Sequence, residues 1–159
     1  MVTTAFLSCF LIGCIAGLRS LTAPAAVCWG AHLGWLHFAR TSLSFMGHPV
    51  TLTLFTLLAL VEFVTDKLPK TPARTSGPGL IARIILGGFS GGALAVATGG
   101  GFVIGAVVGI VGALVGTFAG YHVRHALVAK VNLPDLAVAL VEDVIAICGG
   151  FFIVSHIHM

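Results

Sequence analysis

The chain has 159 residues, of which 58% are hydrophobic and only 8% charged, and its net charge is +3 at neutral pH. Soluble domains carry about a quarter of charged residues, so this composition excludes an ordinary soluble domain and indicates an integral membrane protein. The length predicts a single all-α domain, residues 1–159, with room for about five membrane-spanning helices. The few basic residues form no long run, so we expect the lipid bilayer rather than nucleic acid as the partner, and we expect no cofactor.

The first apolar stretch covers residues 3–18 and ends at Arg19, and a second apolar piece follows from Ala25 to Phe38. Pro24 lacks a backbone N–H group and disfavours helix at the residue before it. The helix should therefore kink or break just after Arg19. Two interpretations stay open: one long kinked helix with an amphipathic tail, or a discontinuous membrane helix.

Four more apolar stretches predict four further spans, and Pro49 fits the start of the first of them. The predicted spans cover residues 50–68, 79–98, 102–123 and 135–155. The loop Lys67–Gly79 and the nearby Arg83 hold the densest group of positive charges, which indicates the cytoplasmic side. Five spans then predict a cytoplasmic N-terminus, a periplasmic C-terminus and location in a bacterial inner membrane, with Arg40 in an outer loop.

Glycine residues form a continuous stripe along the predicted fourth span, at spacings of three and four residues. The stripe consists of Gly101, Gly105, Gly109, Gly112, Gly116 and Gly120, and the first span carries Gly13 and Gly17. Small residues at this spacing allow helix backbones to approach each other closely in lipid. We expect the stripe to serve packing, either inside the chain or at the contact surface of a homo-oligomer, most simply a dimer.

Two pairs of segments resemble each other in the order of their residues. Leu11–Arg19 (LIGCIAGLR) aligns with Leu114–His122 (LVGTFAGYH), and Leu58–Glu62 (LALVE) aligns with Val138–Glu142 (VALVE). Residues 3–68 and 101–156 are therefore predicted to be related units, joined by the linker span 79–98. With five spans the two units cross the membrane in opposite directions, which predicts an inverted-topology repeat.

Ionisable residues within the predicted spans mark the candidate site, because a charge in lipid costs about 2–4 kcal/mol unless it is paired or hydrated. The candidates are Arg19, Glu62, Asp66, His122, Arg124, Glu142 and Asp143. Inverted repeats place a site where their halves meet, so we expect Arg19 and Arg124 to pair with carboxylates across that interface. Asp135 is expected to be a helix-start residue.

Two motifs carry a resemblance to a known family. GLRSLTAP (Gly17–Pro24) and E-x-x-x-D-K-L-P-x-x-P-x-R (Glu62–Arg74) resemble a small family of bacterial membrane proteins known only as a domain of unknown function. The resemblance covers most of the chain. It implies a membrane protein in which Arg19, Glu62 and Asp66 are important, and it implies no reaction.

The charges favour a small transporter or channel for an ion or small polar solute, and the alternative is a structural or accessory membrane subunit. An enzyme is not expected, because the sequence contains no HExxH motif and its histidines lack a paired nucleophile. A metal site is not expected either, because His156 and His158 lack a fixed ligand spacing. The four cysteines, which have no CxxC spacing, are expected to be small buried hydrophobic residues: Cys9, Cys14, Cys28 and Cys148.

Overall fold

The computed structural model describes residues 2–38, 41–67, 75 and 77–157. In these ranges the chain forms α-helices and one short 3-10 helix and contains no β-strand, which confirms the all-α prediction. The helices are α1 (Val2–Leu18), α2 (Thr22–His32), the 3-10 helix (Ser44–Gly47), α3 (Pro49–Thr65), α4 (Gly77–Ala97), α5 (Phe102–Val131) and α6 (Asp135–Ser155). Of these, α4, α5 and α6 are long and apolar enough to cross a membrane, and α1 and α3 are shorter apolar helices.

The chain breaks between α1 and α2, so the first helix is discontinuous rather than kinked. Pro24 lies in the first turn of α2, where its missing N–H group removes no helical hydrogen bond. α2 ends at His32, earlier than the expected Phe38, because Gly34 adopts a left-handed conformation with φ of 78°. The backbone N–H of Leu36 then turns back to the carbonyl oxygen of Gly30 at 3.0 Å.

α1 and α2 form an antiparallel hairpin whose tip is the break at Arg19. Asp143 of α6 contacts Arg19 at this tip. Two turns further along α6, Gly150 lies beside Ile15 of α1 and Ala26 of α2. α6 is therefore antiparallel to α1 and parallel to α2. The two helices run in opposite directions from the tip.

This hairpin corrects the expected topology. We expected α1 to carry Arg19 to the side of the membrane opposite the loop after α3. Instead Arg19 lies level with Asp66 at the end of α3 and with Arg83 near the start of α4. We call this end of the bundle the charged end. Because the chain turns back at Arg19, the start of α1 and the end of α6 lie together at the opposite end.

The directions of α1 and α5 bear on the expected inverted repeat. Gly13 lies against Gly109, and Gly17, one turn later, lies against Ala113. α1 and α5 are therefore parallel, whereas an inverted repeat requires the two matched segments to run in opposite directions. In the matched segments, Gly13, Gly17 and Gly116 all take part in the close contact between α1 and α5.

The glycine stripe packs inside the chain over most of its length. A methyl group added at Gly105 or Gly109 would overlap the backbone of α4, and one added at Gly112 or Gly116 would overlap the backbone of α1. α5 thus fits between α1 and α4 with its backbone close to both. The ends of the stripe differ, since an added methyl group at Gly101 would meet open space and Gly120 is half-buried.

α5 continues eight residues beyond its predicted end at residue 123. Its 30 residues give a length of about 45 Å, which exceeds the hydrocarbon core of a bilayer, about 30 Å. Asn132 ends the helix in a left-handed conformation with φ of 56°, which asparagine tolerates well. Since Thr117 of α5 is level with Gly17 of α1, the last part of α5 and the start of α6 extend past the charged end.

Candidate functional site

Arg19 is the centre of a charge network at the charged end, and its side chain is completely buried. Its Nη1 atom donates a hydrogen bond to Oδ2 of Asp66, the residue that ends α3. Its Nη2 atom lies 2.6 Å from Oδ1 of Asp143 on α6. That second contact is close, but its angles are unfavourable for a hydrogen bond, so it is best described as an ion pair. The break between α1 and α2 is thus tied to two other helices.

Two further cations extend the network. Lys67 Nζ lies 2.7 Å from Oδ2 of Asp143. Arg83 Nη2 lies 4.0 Å from Oδ2 of Asp66, and its Nε donates to the carbonyl oxygen of Gly17 at 3.1 Å. From the sequence, Arg83 was expected only to mark the cytoplasmic side, and its place in the network was not predicted. Its position inside a predicted span was the signal that could have found it.

Glu62 has a different role from the other carboxylates, because it binds the start of α2. Its Oε1 atom accepts hydrogen bonds from the backbone N–H of Ser20 at 2.7 Å and from the Ser20 hydroxyl at 2.6 Å. Its Oε2 atom accepts from the backbone N–H of Leu21 at 2.8 Å. The first N–H groups of a helix lack intrahelical partners and carry a partial positive charge. Glu62 therefore caps α2 from a neighbouring helix.

The spacing of Glu62 and Asp66 explains how α3 can serve both purposes. Residues four apart project from the same face of a helix, as the sequence analysis noted. Glu62 reaches the backbone of the break, and Asp66, one turn later, reaches the side chain of Arg19. Both carboxylates are shielded from solvent, with Glu62 only 7% exposed. α3 therefore contacts the break between α1 and α2 through two carboxylates that lie one helical turn apart.

The candidates from the second half of the chain do not all join this network. Arg124 of α5 forms two hydrogen bonds with Asp135, at 2.8 and 2.7 Å, and its Nη1 atom lies 3.6 Å from Oε2 of Glu142. Both of these carboxylates lie on the adjacent α6, and Asp66 of the first half also interacts electrostatically with Arg124. Direct pairing of Arg124 across the two halves stays a prediction. His122 is exposed on α5 beside the ring of Tyr121. Among the second-half residues that the structure describes, Asp143 is the one that pairs with Arg19.

Other features of the described residues add nothing to this site. A cavity of about 220 Å³ lies at the opposite end, and its lining contains no Asp, Glu, Lys or Arg side chain. The lining residues are Ala31, Gly34, Leu36, His37, Phe38, Ser44 and Gly47. Within residues 2–38, 41–67, 75 and 77–157, no three His, Cys, Asp or Glu side chains are placed to hold a metal ion. His158 and Arg40 lie outside the described residues. The cysteines are all free, and Cys148 is exposed rather than buried as expected.

Comparison with protein families identifies the family to which the chain is similar. A family model described as Domain of unknown function (DUF4126) matches residues 7–156. The matched range contains α2, α3, α4, α5 and α6 and every residue of the charge network. No curated protein and no solved structure matches the chain.

Proposed function

Because the chain belongs to a family of unknown function, DUF4126, we propose its function from the charge network itself. The proposal is a small membrane carrier that moves an ion or small polar solute through the site around Arg19. The observation that supports it is a completely buried arginine at a helix break, held by Asp66 and Asp143. Ionisable residues inside membrane bundles are costly, and they typically mark the paths of ions and substrates.

The broken helix adds physical support. In many transporters the substrate binds where a membrane helix is interrupted, because the exposed helix end offers unpaired backbone groups and a partial charge. Here the interruption between α1 and α2 presents the N-terminus of α2 to Glu62. In this proposal the solute binds beside Arg19 at the helix start that Glu62 contacts, and Asp66, Asp143, Lys67 and Arg83 fix the position of Arg19. No enzymatic step and no resident cofactor are part of it.

One observation favours a second candidate, a structural or accessory membrane subunit. Arg19 binds carboxylates from two different helices, and one of them, Asp143, also binds Lys67. A network of this kind can hold a small bundle together without carrying a solute, since breaking one buried ion pair is strongly destabilising. The two candidates differ in one measurable property, because a structural subunit passes no solute.

A flux assay in liposomes separates the two candidates. The purified chain is reconstituted with the pH-sensitive dye pyranine inside, and gradients of sodium, potassium, chloride and acetate are applied in turn. A carrier gives dye signals above those of empty liposomes for at least one gradient, and Glu62→Gln lowers that flux at least tenfold. Lys130→Gln is the control, because Lys130 is exposed in the last turn of α5. A parent protein that matches empty liposomes in every gradient supports the structural subunit.

We also propose an orientation and an assembly. The basic residues Lys67 and Arg83 at the charged end favour the cytoplasmic side of a bacterial inner membrane. The N-terminal end of α1 and the C-terminal end of α6 then both face the periplasm, because both lie at the opposite end. A homodimer is the simplest assembly, and the apolar side chains that α5 and α6 expose, such as Val123 and Leu140, are available to lipid or to a second copy.

A further inference from the structure

We propose that the N-terminus of α2 is a binding site for a small carboxylate anion, and that the Glu62 side chain occupies this site in the structure. An incoming anion takes the same position when Glu62 moves aside. The inference rests on the proposed carrier function and deepens it by assigning the class of solute. Three observations indicate that the solute is an anion rather than a cation, and a carboxylate rather than a larger group.

The first ground is the geometry of the donors. Three donors converge on one carboxylate at 2.6–2.8 Å: the N–H groups of Ser20 and Leu21 and the Ser20 hydroxyl. Two of them are the backbone N–H groups of the two residues that directly precede the 11-residue helix α2, close to its N-terminus, where the helix dipole favours an anion. This arrangement recognises a carboxylate group whether or not it is covalently attached to α3.

The second ground is the presence of buried polar groups that Glu62 leaves unused. Thr22, the first residue of α2, is only 5% exposed, and its hydroxyl has no hydrogen-bond partner in the described part of the chain. Next to the same helix start, Arg19 is 0% exposed, and its Nε atom likewise has no hydrogen-bond partner there. Buried polar groups normally find partners, so these two donors are available to a ligand that binds at the start of α2.

The third ground is the charge of the network. Arg19, which is completely buried, lies next to the same helix start. If the Glu62 carboxylate leaves, one negative charge is lost beside Arg19 and the N-terminus of α2, and an incoming anion restores it while a cation would not. The site therefore favours an anion.

Replacement of the attached carboxylate by a free one tests the inference. Glu62→Ala removes the carboxylate and one methylene group, and acetate has the size of the removed part. In detergent at constant ionic strength, acetate should raise the melting temperature of Glu62→Ala by about 3–6 °C at a tenfold excess over its dissociation constant. Acetamide, which has the same shape without the charge, should leave it unchanged.

Matched variants make the result specific to this site. Glu62→Gln fills the site with a neutral side chain, so acetate should not change its melting temperature. Ser20→Ala in the Glu62→Ala background removes one hydrogen-bond donor and should weaken acetate binding about tenfold. The inference is overturned if acetate shifts Glu62→Ala no more than Glu62→Gln. If Glu62→Ala is lost during purification, extraction is repeated with acetate or acetamide present. Recovery in acetate alone supports the site, and recovery in neither overturns it.

The binding assay tests the anion site and the flux assay tests the carrier, so each result can be negative without the other. Acetate binding to Glu62→Ala without flux in the parent protein retains the anion site and rejects the carrier. Flux in the parent protein without acetate binding to Glu62→Ala retains the carrier and rejects a carboxylate as its solute.

Discussion

Glu62 and Ser20, 42 positions apart in the chain, are joined by two hydrogen bonds to a single oxygen atom, one from the Ser20 backbone and one from its hydroxyl. Leu21, which precedes the first residue of α2, offers no side-chain cap of its own. The start of α2 is therefore completed by a residue of α3, and the hairpin of α1 and α2 depends on a tertiary contact for its local structure.

The hydroxyl of Ser20 should contribute measurably to stability. Ser20→Ala removes one of the three hydrogen bonds to a buried carboxylate, and we expect a loss of about 1.5–3 kcal/mol, since bonds to charged groups are stronger than neutral ones. Thermal unfolding in detergent measures the loss. Ser155→Ala is the control, because the Ser155 hydroxyl is exposed and bonds to Phe152 within its own helix. Equal stability of the two variants would show that Glu62 does not depend on this contact.

Arg19 and Asp66 should be coupled in a double-mutant cycle. Arg19→Leu leaves two buried carboxylates with fewer partners, and we expect a cost of about 3–5 kcal/mol. Adding Asp66→Asn removes one of those charges, so the double variant should recover at least about 1 kcal/mol relative to the sum of the single changes. Urea or thermal unfolding in a mild detergent gives the three values. Strict additivity would contradict the contact between the two side chains.

Close packing of α5 against α1 should not tolerate a methyl group. Gly112→Ala and Gly116→Ala place a Cβ atom into the backbones of Phe10 and Cys14, and we expect each to cost about 1–3 kcal/mol. Gly101→Ala is a matched control on the same stripe, because its added methyl group meets open space. The melting temperature in detergent compares the three variants. A loss at Gly101 as large as at Gly112 would assign the stripe to a different surface.

The hairpin predicts that both ends of the described chain lie on one side of the membrane. In a background without the four native cysteines, a membrane-impermeant thiol reagent should label Thr3→Cys and His156→Cys from the periplasm of intact cells. Thr75→Cys, in the loop at the charged end, should be labelled only after the cells are opened. Labelling of Thr3→Cys and Thr75→Cys from the same side would require α1 to cross without turning back at Arg19.

Most of the helices could be predicted from local features of the sequence. The period and length of the apolar stretches placed α1, α4 and α6 within about two residues of their structural bounds, and Pro24 marked the break after Arg19. The glycines at three- and four-residue spacing indicated close backbone contact, which α5 makes with α1 and α4. These features are local, since each depends on residues within a few helical turns.

The direction of α2 and the partners of the charges depend on contacts between distant parts of the chain. A break specifies where a helix stops, but the direction of the next segment depends on contacts with distant residues. Here Arg19 forms ion pairs with Asp143 and Asp66. Glu62 caps the start of α2, and the absence of a side chain at Gly150 leaves room for Ala26. The same limit applies to Arg124, which binds the nearby Asp135. A buried charge must find a partner, but its sequence position does not specify which one, because every carboxylate that reaches it satisfies the same requirement.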